Sequence, residues 1–357
     1  MLSRLILVFY NFMLIQYTIH CEIPNEVKIG VIAPLTGPGA RVGEILKSAI
    51  DYFDAKMQPA SSIKFKFIVE DTQSKVQNAI QAFRKLTEID KVVIVFVIFG
   101  SHGMALKNLA EKTKTILWSF TIHPDQTAGT KYVLRHNISI KDDLKNVESF
   151  IKTNKVRRLV TIYSEEEIGV YYDKSLSSLT KELQISYASF GVLPGDPISK
   201  TLILRALNEA PDAVYIQLLG SNIGVAIKEI RNLGFKGPLI VGPSFLITPE
   251  TKEIARNHMQ ELYYTKPVAS ETCVVSLKQF FGSSKPFSAY SCYPLTSLEI
   301  LRGALNLLKL NLYDGEERLK LVNYIKNMNR FFGTFETVDI LSSGDIVSPV
   351  ELVRAEE

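Results

Sequence analysis

Hydrophobic and polar positions along this chain switch repeatedly between two periods. Val27 to Ala33 (VKIGVIA) is a short apolar run with the β-branched content of a buried strand. Pro34 to Gly39 then breaks the extended pattern with Gly and Pro. Val42, Ile45, Leu46, Ala49, Ile50 and Phe53 follow at helical spacing. The alternation continues with a strand over Ile63 to Val69 and a helix carrying Val76, Ala79, Ile80, Phe83 and Leu86 on one face. Val92 to Phe99 (VVIVFVIF) is the most apolar run and predicts a central parallel strand. Gly100 to Gly103 ends it, Ala105 to Lys112 predicts a helix, Thr115 to Phe120 another strand, and Thr121 to Thr130 a polar loop. These are four strand–helix units with short connections, the opening of a parallel α/β layer. Ligands in such layers collect at the C-terminal ends of strands.

A second set of the same kind begins at Asp142. Helices are predicted over Leu144 to Thr153, Tyr171 to Leu183, Ile198 to Asn208 and Ile223 to Leu233, and strands over Arg158 to Tyr163, Ile185 to Val192, Ala213 to Leu219 and Pro238 to Val241. Beyond Tyr263 the pattern is helical at Val275 to Phe281, Thr296 to Leu308 and Arg318 to Met328, before a strand pair around Ser343-Gly344-Asp345. Helices without strands of their own must pack on a sheet already made. The expected division is therefore two α/β lobes joined by several chain crossings. Residues 27–140 with 269–334 would form the first, and 142–267 with 335–357 the second and the hinge return.

Composition narrows the function. Among 357 residues, 41 are basic and 37 acidic, a formal charge of +4 with no basic block, which argues against a nucleic-acid partner. Met1 to Cys21 reads as a targeting segment, with Arg4 ahead of an apolar stretch from Leu5 to Ile19 that is too short to span a bilayer. Cys21 stands where an acylated cysteine would, although Ile19-His20 are not the small residues that such processing favours; a lipid anchor there and an unmodified chain both remain open. Export would permit Cys273 and Cys292 to form a disulfide, worth about 3 kcal/mol for so short a loop; two buried free thiols are the alternative. Neither cysteine has metal-ligand spacing, and no metal or cofactor is expected. No G-x-S-x-G, H-E-x-x-H, P-loop or C-x-x-C motif appears, which disfavours a hydrolase or other enzyme.

The order VKIGVIAPLTGP, then VEDTQSKVQNAIQAFRKLTEIDKVVIVF, then GSHGMALKNLAEKTKTILWS resembles the solute-binding proteins of branched-chain amino-acid ABC importers. The likeness runs from about Val27 to Val353 and rests on order and spacing rather than on any single motif. It implies the type I periplasmic binding fold, two Rossmann-like lobes joined by a multi-crossing hinge and closing on a ligand. It also implies which residues meet that ligand. In the family a Ser with neighbouring amides and a Thr-containing loop hold the ligand carboxylate; the matching positions are Gly100-Ser101-His102 and Thr121-Ile122-His123. A hydroxyl and unpaired amides at a helix start bind a carboxylate without a formal cation. Ser101 would equally suit a helix N-cap, and His123 a plain loop residue.

Elsewhere the pattern departs from the family. The acid that receives the ligand ammonium follows a Gly-Pro, but Gly242-Pro243 is followed here by Ser244. The aromatic positions fall on Val42, Ile168 and near Leu219-Gly220, while Tyr290 matches a family tyrosine at the cleft. Glu165, Glu166 and Glu167 are the nearest alternative carboxylates. What the resemblance implies is capture of an amino acid or a related small carboxylate or amide, in the periplasm or at the cell surface, for an ABC permease in the inner membrane. A sensory binding protein of the same fold that transports nothing is the alternative.

Overall fold

The computed structural model describes residues 26–37, 39–59, 63–243, 246–268, 271–282 and 289–355. The targeting segment with Cys21, and Ser244, therefore lie outside the described residues. In the first lobe β1 (Glu26–Ala33), β2 (Lys64–Asp71), β3 (Ile94–Ile98), β4 (Ile116–Phe120) and β5 (Val133–His136) are parallel, in the order β2-β1-β3-β4-β5. In the second, β6 (Arg158–Ser164), β7 (Ser186–Val192), β8 (Ala213–Gln217), β9 (Leu239–Pro243) and β10 (Leu262–Pro267) repeat that order as β7-β6-β8-β9-β10. Both lobes are thus doubly wound α/β layers.

The helices alternate with the strands as the apolar spacing requires. In the first lobe these are α1 (Ala40–Tyr52), α2 (Val76–Arg84) and α3 (Gly100–Thr113). The second has α4 (Ile140–Thr153), α5 (Glu167–Glu182), α6 (Lys200–Asn208), α7 (Ser221–Asn232) and α8 (Pro249–Ala255). Then α9 (Glu271–Phe281) returns to the first lobe, where Phe280 packs edge-on against Tyr52 at 5.4 Å. A Cys273–Cys292 disulfide ties α9 to α10 (Cys292–Leu308), settling the open question of these thiols, and α11 (Gly315–Lys326) follows.

Three differences from the sequence reading have a physical cause. First, β5 and β10 were not visible, because Arg135 and His136 put charge and polarity into a four-residue strand and β10 is rich in Tyr, Thr and Lys. Second, α3 begins at Gly100 rather than Ala105, so the glycines and Ser101 belong to the helix. Third, the C-terminal segment divides between the sheets. β11 (Arg330–Phe332), β12 (Thr337–Ile340) and β13 (Asp345–Val347) extend the first sheet, β13 running parallel to β5; only β14 (Val350–Arg354) joins the second, antiparallel to β10. The stretch 335–357 is thus not a second-lobe unit. Backbone pairing decides this, since Arg135 N–H donates to Gly344 O.

The chain passes between the two sheets after β5, after β10 and after β13. Beside the first and third passages lies a buried polar cluster. His136 Nδ1 is 2.8 Å from Ser297 Oγ and its Nε2 is 3.2 Å from Ser348 Oγ, while Ser348 donates to Glu336 Oε2 at 2.8 Å. The single Ser348 proton goes to Glu336, so His136 donates from Nε2 and accepts from Ser297 at Nδ1. Next to it Arg135 pairs with Asp345 at 2.5 Å, and Asp345 also accepts from Thr127 at 2.9 Å. Apolar packing is continuous across this region: one cluster includes Trp118 and Leu134 of the first lobe and Tyr215 and Ile240 of the second.

Candidate functional site

Where the strands of both lobes end, close packing brings the helix starts together. A side chain at Gly43 would meet Pro34 O at 2.1 Å, and one at Gly169 would meet Ser164 O at 1.9 Å. Only glycine lets α1 and α5 sit that close to the strand ends of β1 and β6. The close seat of α5 carries its first turn, Glu167-Ile168, toward the first lobe.

Gly100 is the meeting point. A side chain there would stand 3.3 Å from Thr121 Oγ1 and 3.9 Å from Ile168 Cδ1. Thr121 accepts the His123 N–H at 3.3 Å, and its carbonyl accepts from Arg135 at 3.1 Å. The first turn of α3 has no side-chain cap; its N-cap position is Phe99, held at φ +95°, a conformation costing a non-glycine residue about 1–3 kcal/mol. Ser101 is thus the second helical residue and not the cap, and its hydroxyl makes no hydrogen bond among the described residues. The uncapped amides at this helix start thus lie beside Ser101 and Thr121, with Ile168 of the other lobe over them; free amides at a helix start are the kind of group that donates to anionic oxygens.

The remaining candidates separate. The His102 ring is buried within the first lobe, 5.1 Å from the Phe99 ring. Neither ring nitrogen makes a well-formed hydrogen bond; burial, only partly opposed by the Ser74 and Ile98 backbone, brings its pKa down to about 4 and keeps it neutral. Ile122 is a core residue. Tyr290 is buried edge-on against Tyr293 at 5.5 Å and close enough to Tyr172 to oppose its ionisation. Leu219 lies beyond the end of β8 and is 44% exposed, beside the positive-φ Gly220 that starts α7. His123 caps a short turn by accepting from Asp125 N–H at Nδ1, 3.2 Å, and its Nε2 meets Glu167 Oε1 of α5 at 3.2 Å. Glu166, beside it, has its carboxyl pKa raised, first by burial and then by the Glu167 charge. Among the described residues no group of His, Cys, Asp or Glu is arranged to hold a metal ion, and no helix is long and apolar enough to cross a membrane.

A family model described as periplasmic binding protein matches residues 26–273. The chain belongs to the periplasmic binding protein family. Its fold is a solute-binding one, not a catalytic one. A Leu/Ile/Val/Thr-binding protein of Salmonella typhimurium is 22% identical over 300 residues, covering 80% of this chain and 81% of that protein. Among solved structures, a leucine-binding protein from Thermotoga maritima superposes with a TM-score of 0.79 at 21% identity, over 93% of this chain and 96% of the other. A solute-binding protein of an ABC transporter from Rhodopseudomonas palustris, solved with 3,4-dihydroxybenzoic acid, gives 0.79 at 17% identity, over 93% and 94%. At these identities the structural likeness speaks for the fold.

Two features of this periplasmic binding protein escaped the sequence. Phe99 gave no sign of its positive φ, since a Phe before a Gly at a strand end is unremarkable. The Glu167–His123 contact joins residues 44 apart on different lobes; the acidic run Glu165 to Glu167 was the only signal, and it did not say which carboxylate reaches across.

Proposed function

We propose that the protein captures a small carboxylate-bearing solute between its lobes and delivers it to an ABC permease, from the periplasm or the cell surface. One observation carries this: Gly100 and Thr121 of the first lobe stand against Ile168 of the second, at the strand ends where doubly wound sheets place ligands. The ligand carboxylate would rest on the uncapped start of α3, with Ser101 and Thr121 donating to it, and its apolar body against Ile168. Amino acids and related small carboxylates or amides are the ligand class. Closure of the two lobes about the three passages would enclose it.

The test is a thermal-shift screen of the mature protein against leucine, its deaminated analogue, other small acids and amides. A true ligand at a hundred times its dissociation constant stabilises the native state by about 2.7 kcal/mol and raises Tm accordingly. Calorimetry should then show Ser101→Ala weakening that ligand about ten- to a hundredfold, the loss of a hydrogen bond to a charged group. A screen in which no acid or amide moves Tm, or a Ser101→Ala protein that binds like wild type, would defeat the proposal.

A further inference from the structure

The lobes touch at the cleft rim through a contact built with unusual definition on both sides. On the first lobe His123 sits on a loop fixed by Thr121 and by the Pro124–Gln126 turn, and Thr121 in turn is held by Arg135 of β5. Because Nδ1 accepts from the Asp125 N–H, the neutral ring carries its proton on Nε2, the atom facing Glu167 Oε1 at 3.2 Å. On the second lobe Glu167 and Tyr171 are one helical turn apart, and both face that ring, Tyr171 with its centroid 5.7 Å away. The His123 side chain is 5% exposed although Glu167 is 46% exposed, so the second lobe covers the histidine while the carboxylate stays at the rim. Ile168, the next residue, lies over Gly100.

We propose that Glu167 and His123 form a clasp that favours the closed arrangement of the lobes in the absence of any ligand. They act as positioning residues: neither needs to touch the solute, yet the clasp brings Ile168 over the pocket. The inference rests on the two-lobe closure proposed above, but not on the identity of the ligand. A bond across a half-exposed rim is worth little in water, so it biases the equilibrium rather than locking it. Opening then exposes His123 and Glu167 together.

The experiment is single-molecule energy transfer between one dye on each lobe of the full mature protein, with no ligand added. Glu167→Lys, which faces the histidine with a like charge or an unmatched donor, should raise the open-to-closed ratio about two- to fivefold. Glu167→Ala should move it in the same direction and by less. The exchanged pair, His123→Glu with Glu167→Lys, should return the ratio toward wild type, which a merely steric effect would not do. Unchanged ratios in both single variants, or an exchanged pair no more closed than Glu167→Lys, would overturn the clasp. Because the readout needs no solute, a failed ligand screen beside a shifted ratio would sink the proposed ligand class and leave the clasp standing. A successful screen beside unchanged ratios would do the reverse.

Discussion

Among the described residues two His–Glu pairs join elements far apart in sequence, and they differ most in the exposure of the carboxylate. His136 and Glu336 are 3.5 Å apart with side chains 0% and 2% exposed, among the chain passages between lobes. His123 and Glu167 are 3.2 Å apart at the cleft rim, with Glu167 46% exposed. In the buried pair, dehydration dominates. It brings the His136 pKa down to about 3, with the neighbouring Arg135 charge acting in the same direction. It raises Glu336 to about 7, against hydrogen bonds from Ser348 and Thr296 and aided by Glu299. Two residues of opposite usual charge are thus both pushed toward neutrality, and the serines between them carry the hydrogen bonds. At the rim the histidine is covered but the Glu167 carboxylate stays half in water, and the two side chains meet directly rather than through serines. Burial of the carboxylate, more than residue type, decides whether such a pair is sealed from water or open to it.

The sharpest way to break the buried side is to strand a charge. Asp345→Ala leaves the Arg135 guanidinium buried without its carboxylate and should cost about 3–5 kcal/mol in chemical denaturation. A loss under 1 kcal/mol would mean that the passage region is wetter than its burial implies. Next comes the pH profile. Glu336 has a raised folded pKa, so its contribution is full below about 4.5 and is lost as pH rises toward 7. His136 has a lowered one, so its contribution is full above 6.5 and is lost as pH falls toward 3. The two slopes oppose each other between 4.5 and 6.5. Glu336→Gln removes only the first, so its stability relative to wild type should rise by up to about 3 kcal/mol from pH 4.5 to 7.5. A difference that is flat with pH would show that Glu336 is already ionised at low pH. The smallest effect belongs to the rim: Glu167→Gln should change global stability by less than about 1 kcal/mol at any pH between 5 and 8. A larger loss would make the rim part of the core and erase the contrast.

Much of the architecture was legible because it is written in periodicity. Eight of the parallel strands and most helices follow from apolar runs of strand length and from 3.6-residue spacing, as at Val42 to Phe53. What failed were the strands whose side chains are polar for a reason found elsewhere in the chain. Arg135 and His136 belong in a strand only because Asp345, Ser297 and Ser348 arrive from some 160 to 210 residues away. The pocket divides the same way. Gly100, Thr121 and Ile168 were named from a family order and meet in space, whereas the conformation of Phe99 and the reach of Glu167 depend on how two lobes face each other.

The threefold passage of the chain also governs the order in which the molecule can be assembled. β13 sets Ile346 beside His136, and β14 sets Val350 beside Pro267, so each sheet receives a member from far along the chain. Contacts of such sequence separation carry a high loop-closure cost and form slowly. A chain lacking β11 to β14 has two unfinished sheet edges. The native state should therefore be reached only once residues up to Arg354 are available to pair, leaving an interval in which the polypeptide is still an open thread.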